Sequence, residues 1–157
     1  MSIVLTRIDD RLIHGQVVVG WVQARSVKRI VLVDDEVRAN TWEQELYSVG
    51  VPGSLELLFV SVDEAVERID EWSDDDVRTL LLAGNVKTIA RLCAATDRIT
   101  QVNVGGLHDA SSRSQRLAYV YLTDAEVKEL RALVDRGVQV LAQDVPTAKP
   151  APLEDWA

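Results

Sequence analysis

Seven short runs rich in Val, Ile and Leu alternate with stretches whose apolar residues return every three or four positions, and this alternation limits the fold more than any other feature. The runs occupy 2–8, 29–33, 55–61, 78–83, 99–104, 117–122 and 139–143. In most of them neighbouring residues are apolar, so both faces need cover, as in parallel strands sandwiched between helices. The predicted class is α/β: a three-layer sandwich with a mostly parallel central sheet of about six or seven strands and helices on both faces. A length of 157 residues suits a single domain, 1–157. Such a chain buries roughly two thirds of its unfolded surface and needs no disulfide or metal staple.

Helix starts are legible. Asn40-Thr41-Trp42-Glu43, Ser61-Val62-Asp63-Glu64 and Thr123-Asp124-Ala125-Glu126 each set a capping side chain three residues before a Glu. Val62, Ala65, Val66 and Ile69 form one core-facing stripe; Val127, Leu130, Leu133 and Val134 form another, ahead of a left-handed stop at Gly137. Two further helices are expected over about 15–23 and 86–95. Trp21, Trp42 and Trp72 fall on helical stretches, where packing is the default. Pro146, Pro150 and Pro152 interrupt regular structure in a C-terminal segment from about 146, expected to lie extended against the domain or to fray.

Charge narrows the partners. Asp and Glu number 25 against 17 Lys and Arg, a net charge of −8, which disfavours nucleic acid or anionic lipid as the main partner. No apolar run approaches the roughly 18 residues of a membrane span, so no direct membrane insertion is expected. Met1-Ser2-Ile3-Val4-Leu5-Thr6-Arg7 lacks the basic-then-apolar layout of a signal peptide. The lone Cys93, in an apolar helical stretch, reads as a quiet core residue, and a cytoplasmic location is expected.

Ligands of an open parallel sheet gather at the carboxyl ends of its strands. The loop after the first strand, Asp9-Asp10-Arg11-Leu12-Ile13-His14-Gly15-Gln16, is the densest in reactive side chains. His14 stands just before a helix start, where free N–H groups and the helix dipole favour an anion, and Gly15 admits a bulky group to the backbone. A neutral imidazole is a competent nucleophile, Arg11 offers paired donors to phosphate oxygens, and Asp9 can hold the loop or the ring. Together these describe a phosphohistidine site. The competing readings are a surface or capping histidine, an ordinary Arg11–Asp9 surface ion pair, and Asp10 as a turn former.

Asn103-Val104-Gly105-Gly106 closes the fifth run, and its paired glycines are expected to form a wall of the same site. His108 is treated as peripheral, because two histidines without ligand spacing make a poor metal site. Asp34-Asp35-Glu36 invites comparison with receiver domains, yet the other run ends carry Ser61, Ala83-Gly84-Asn85 and Asn103, so the acidic cluster is read as mainly solvent-facing.

The run Arg7-Ile8-Asp9-Asp10-Arg11-Leu12-Ile13-His14-Gly15-Gln16-Val17, followed by Trp21, resembles the phosphorylated loop of enzyme IIB components of the mannose/fructose/sorbose family of the bacterial phosphotransferase system. Agreement continues through Arg29 to Val37, Asn103-Val104-Gly105-Gly106, Gly137-Val138 and Gln143-Asp144-Val145-Pro146, covering nearly the whole chain. The resemblance implies a phosphocarrier in which His14 accepts a phosphoryl group from phospho-IIA, on the ring nitrogen nearest the main chain. It then passes the group to sugar bound by the membrane IIC and IID subunits. It places Arg11 and Asp9 in the motif and Gly15, Gln16, Gly105 and Gly106 in the surrounding loops, and it implies neither metal nor cofactor. Two departures concern partner or sugar specificity: Leu107-His108-Asp109 replaces the Met and Gly-basic pair of many relatives, and Gly84-Asn85-Val86 lacks their Pro.

Two other readings stay open. A regulatory phosphoprotein of an incomplete phosphotransferase system, signalling through a protein partner, shares every feature above. A histidine phosphatase or mutase is similar at Ile13-His14-Gly15, but this chain has Ile where that superfamily has Arg and shows no second catalytic His.

Overall fold

The computed structural model describes residues 2–157. Strands β1 (Ile3–Ile8), β2 (Arg29–Val33), β3 (Glu56–Val60), β4 (Thr79–Ala83), β5 (Gln101–Val104), β8 (Gln139–Ala142) and β9 (Ala151–Pro152) form one sheet in the order β3-β2-β4-β1-β5-β8-β9. Every pairing is parallel except the last, where β9 runs antiparallel to β8. All of β2 and β4 is buried, which explains their unbroken apolar runs.

Helices cover both faces. Ile8, Val31, Val33, Leu81 and Ala83 point to one side, against α4 (Val62–Asp74), α5 (Val86–Ala95) and α6 (Asp124–Asp135). Leu5, Ile30, Leu32, Leu80 and Leu82 point to the other. There they meet a π-helical turn (Gln16–Trp21) that runs into α1 (Val22–Ala24), with α2 (Asp35–Arg38) and α3 (Thr41–Val49). The three-layer α/β class is as expected from the sequence.

The caps follow the side-chain chemistry. Ser61 and Thr123 make complete capping boxes with Glu64 and Glu126, whereas Asn40 accepts the Glu43 N–H without the return bond. Asp34 caps α2 and Asn85 caps α5. The Asp35 carboxylate accepts the Val62 N–H and pairs with Arg91, so this acidic cluster organises two helix starts. Cys93 lies in the core, and burial pushes its thiol up to about 11.

Four expectations need correction. The run 117–122 is not one strand of the main sheet: β6 (Ser114–Leu117) and β7 (Val120–Leu122) form a separate antiparallel hairpin. The first helix opens as a π turn. Trp42 is 68% exposed, because α3 rests on the sheet through its other side and buries none of its residues fully. Val134, 44% exposed, leaves the α6 stripe that Val127, Leu130 and Leu133 hold. The C-terminal segment lies against the domain, with Pro152 at the sheet edge, where a missing N–H costs no ladder bond.

Candidate active site

The carboxyl ends of β4, β1, β5 and β8 meet at one edge, and main-chain bonds fix the loop after β1 there. Asp9 N–H donates to Ala83 O at 2.9 Å, Asp10 N–H to Gly106 O at 2.9 Å and Gly105 N–H to Ile8 O at 2.7 Å. Leu12 adopts the left-handed region at φ 57°, and its side chain fills the space beside Gly84, where a Cβ would stand 2.8 Å from Leu12 Cδ2. This turn sends Ile13 into the core and leaves His14 half-buried.

Asp9 is fully buried at the middle of an ion cluster. Its Oδ1 accepts from Arg11 N–H (3.1 Å) and Arg11 Nε (3.0 Å); its Oδ2 accepts from Arg11 Nη2 (2.8 Å) and Arg7 Nη2 (3.3 Å). Burial pushes the Asp9 carboxyl up, but the hydrogen bonds from Arg11 and the Arg7 charge outweigh it, so the net shift is downward and the group is ionised. The bond to Asp9 in turn raises Arg11. Arg11 Nη1 donates to Gln16 Oε1 at 3.0 Å, and the Arg11 side chain remains 37% exposed. Asp9 and Arg11 are therefore more than a surface pair: a buried carboxylate aims a partly open guanidinium.

The glycines are spaced to this cluster. A Cβ on Gly105 would stand 2.2 Å from Arg7 Nη2 and 2.8 Å from Asp9 Oδ2, and one on Gly106 3.1 Å from Arg11 Nε. At Gly15 a Cβ would meet nothing within 4 Å, and φ is an ordinary helical −52°, so this glycine leaves open space beside His14.

The His14 ring is held by Leu12 and not by Asp9. Nδ1 lies 2.9 Å from Leu12 O, and because a carbonyl only accepts, the ring proton belongs on Nδ1. Nε2 is buried without a partner among the described residues. His108, 71% exposed at the side chain, reaches Asp10: its N–H donates to Asp10 Oδ2 at 2.8 Å, and Nδ1 is 2.8 Å from Asp10 Oδ1. Asp10 thus ties two loops together. A cavity of about 330 Å³ opens here, lined by Asp10, Arg11, Gln16, His108, Tyr119 and Asp144 among others. Larger cavities of about 520 and 460 Å³, beside Val18 and beside Leu153, contain none of these loop residues.

Sequence reading missed Arg7, which is fully buried. It lies over the Trp21 ring, 4.6 Å from the centroid, and donates to Asn103 Oδ1, to Gln143 O (2.8 Å) and to Asp144 O (3.1 Å). The signal was present: period-two alternation puts Arg7 on the same side of β1 as the buried Leu5, and an Arg in such a slot needs a partner, with Asp9 two residues on.

The profile of a family described as PTS system sorbose subfamily IIB component matches residues 3–156. The chain is 31% identical over 147 residues to the fructose-specific EIIB component of Bacillus subtilis, covering 94% of this chain and 90% of that protein. It is 33% identical to the mannose-specific EIIAB component of Escherichia coli, again over 94% of this chain but 46% of that longer protein. The crystal structure of the N-acetylgalactosamine-specific IIB component 1 of Escherichia coli superimposes with a TM-score of 0.89 at 30% identity, covering 95% of this chain and 97% of that one.

Proposed function

Because this chain belongs to the sorbose subfamily of phosphotransferase-system IIB components, which serve phosphotransfer in sugar uptake, we propose that it carries the phosphoryl group on His14. Residues 1–157 act as one phosphocarrier unit. The donor is a phosphohistidine on a IIA protein or domain, and the acceptor is sugar bound by membrane IIC and IID subunits. The IIAB make-up of the mannose relative supports a IIA donor. No helix among the described residues is long and apolar enough to cross a membrane. The carrier works in the cytoplasm and meets its membrane partner without entering the bilayer.

The observation that carries this reading is the Arg11 guanidinium, aligned by a buried carboxylate and still partly open, on the same loop as His14. In-line attack by the His14 Nδ1 lone pair forms the new P–N bond as the donor's P–N bond breaks, and the donor imidazole keeps that electron pair. Nδ1 must first give up Leu12 O, with the ring proton carried on Nε2 instead. Arg11 faces the charge on the phosphoryl oxygens, Gln16 steadies Arg11, Gly15 keeps the approach to His14 open, and Gly105 and Gly106 leave room for the Arg7 and Arg11 head groups. In the second transfer a sugar hydroxyl oxygen forms a P–O bond as the P–Nδ1 bond breaks, Nδ1 keeps that electron pair, and the hydroxyl proton is lost to solvent.

A chase tests the acceptor. Phosphorylated protein mixed with membranes bearing IIC and IID is expected to lose its label only when the transported sugar is added. Sugar-independent retention, together with a stable complex to another protein, would favour the regulatory reading instead.

A further inference from the structure

We propose that Arg7 is a positioning residue for Arg11: acting through Asp9, it supplies the positive charge that lets a buried carboxylate align Arg11 without cancelling it. This rests on the reading of Arg11 as the group that meets the phosphoryl oxygens.

The charges make the case. Asp9 and Arg11 alone sum to zero, and Asp10 and Asp144 add negative charge near Arg11. A phosphoryl group arriving there would meet a guanidinium already neutralised by carboxylates. Arg7 shifts this balance toward positive: two guanidinium groups share the Asp9 carboxylate, so the trio itself sums to one positive charge, with its only exposed member at Arg11. Arg7 Nη2 takes part of Asp9 Oδ2, at 3.3 Å against 2.8 Å for Arg11 Nη2.

The Arg7 head group is held from several elements at once. Asn103 on β5, the Gln143 and Asp144 carbonyls beyond β8, Asp9 and the Trp21 ring surround its head group. Gln143 is itself anchored, its Nε2 donating to Ala148 O at 2.8 Å, so the start of the C-terminal segment forms part of the cradle. Gly105 leaves the space that the Arg7 head group fills. Burial pulls Arg7 downward from its ordinary value, but a guanidinium stays charged at neutral pH.

Arg7→Lys keeps the charge with one nitrogen, and Arg7→Met removes the charge at similar bulk. Two readouts apply to the full chain: the rate of phosphoryl uptake from phospho-IIA, split into kcat and KM, and the Arg11 Nε–H resonance in nitrogen-proton NMR spectra. The expected result is a fall in kcat of about tenfold for Lys and about a hundredfold for Met, with KM little changed and the Arg11 signal exchange-broadened. A role in stapling alone would lower the melting temperature and leave kcat per folded molecule at the wild-type level; that result overturns the proposal. If both Arg7 variants fail to fold, Asn103→Ala keeps Arg7 but removes one of its acceptors: a smaller fall in kcat with a broadened Arg11 signal supports the proposal, and no change in either overturns it. Should wild type accept no phosphoryl group, the proposed function fails, while the Arg11 resonance still decides whether Arg7 holds Arg11.

Discussion

The Asp9 carboxylate grips Arg11 side-on, Oδ1 taking Nε at 3.0 Å and Oδ2 taking Nη2 at 2.8 Å, which turns the remaining edge of the guanidinium toward Gln16 and solvent. Lysine cannot copy this two-point hold. Arg11→Lys is expected to slow phosphoryl uptake by about tenfold to a hundredfold, the usual cost of losing one preorganised charge contact. Its unfolding midpoint in urea should stay close to that of wild type, since the side chain is partly exposed.

Asp9→Asn removes the carboxylate shared by the two arginines and leaves Arg7 buried without its ion partner. The expected loss is about 3 kcal/mol or more of unfolding free energy, read from urea titration. The pH dependence has a definite sign. The folded-state carboxyl of Asp9 lies below its unfolded value, so its contribution is complete above the unfolded value, near 3.8, and is lost as pH falls through the lower folded one. Wild type should therefore lose stability at the acid end of a urea–pH series more steeply than Asp9→Asn.

Gly105→Ala and Gly15→Ala make a matched pair. The first drives a methyl to 2.2 Å from Arg7 Nη2 and should disturb the ion cluster, costing about 1–3 kcal/mol as overpacking does. The second meets nothing within 4 Å and has helical φ, so its melting temperature should equal or slightly exceed that of wild type. Any loss of phosphoryl uptake in Gly15→Ala would then reflect crowding at His14.

Leu12 O fixes the resting tautomer of His14. Long-range nitrogen-proton NMR correlations of the unphosphorylated protein should show a protonated Nδ1 and a bare Nε2. After phosphorylation the pattern should invert, with phosphorus on Nδ1 and the proton on Nε2. The reverse tautomer at rest would mean that Leu12 does not hold the ring.

Much of this was legible in the sequence. Unbroken apolar runs such as Ile30 to Val33 and Leu80 to Leu82 required a sheet covered on both faces, and Ser61 and Thr123 marked their helix starts. The loop from Asp9 to Gln16 stood out because it concentrated reactive side chains after the first strand. Other features hid for physical reasons. The turn at Ala118-Tyr119 carries neither Gly nor Pro, so the β6–β7 hairpin looked like one apolar strand. A π turn has no periodicity distinguishable from an α-helix over six residues. Trp42 lies in a helix whose stripe is apolar on its outer side, which periodicity alone cannot orient. Arg7 escaped notice because a lone cation in a strand declares its role only when Asn103, Gln143 and Asp144, about a hundred residues or more away, are brought beside it.

The central claim is that His14 carries the phosphoryl group. The most direct measurement is the intact mass of wild type and His14→Ala after incubation with phosphoenolpyruvate, enzyme I, HPr and the cognate IIA. Wild type is expected to gain one acid-labile phosphoryl group and the variant, folded to the same extent, to gain none. A labelled His14→Ala protein, or an unlabelled wild type in a mixture that charges a control IIB with the same IIA, would contradict that claim.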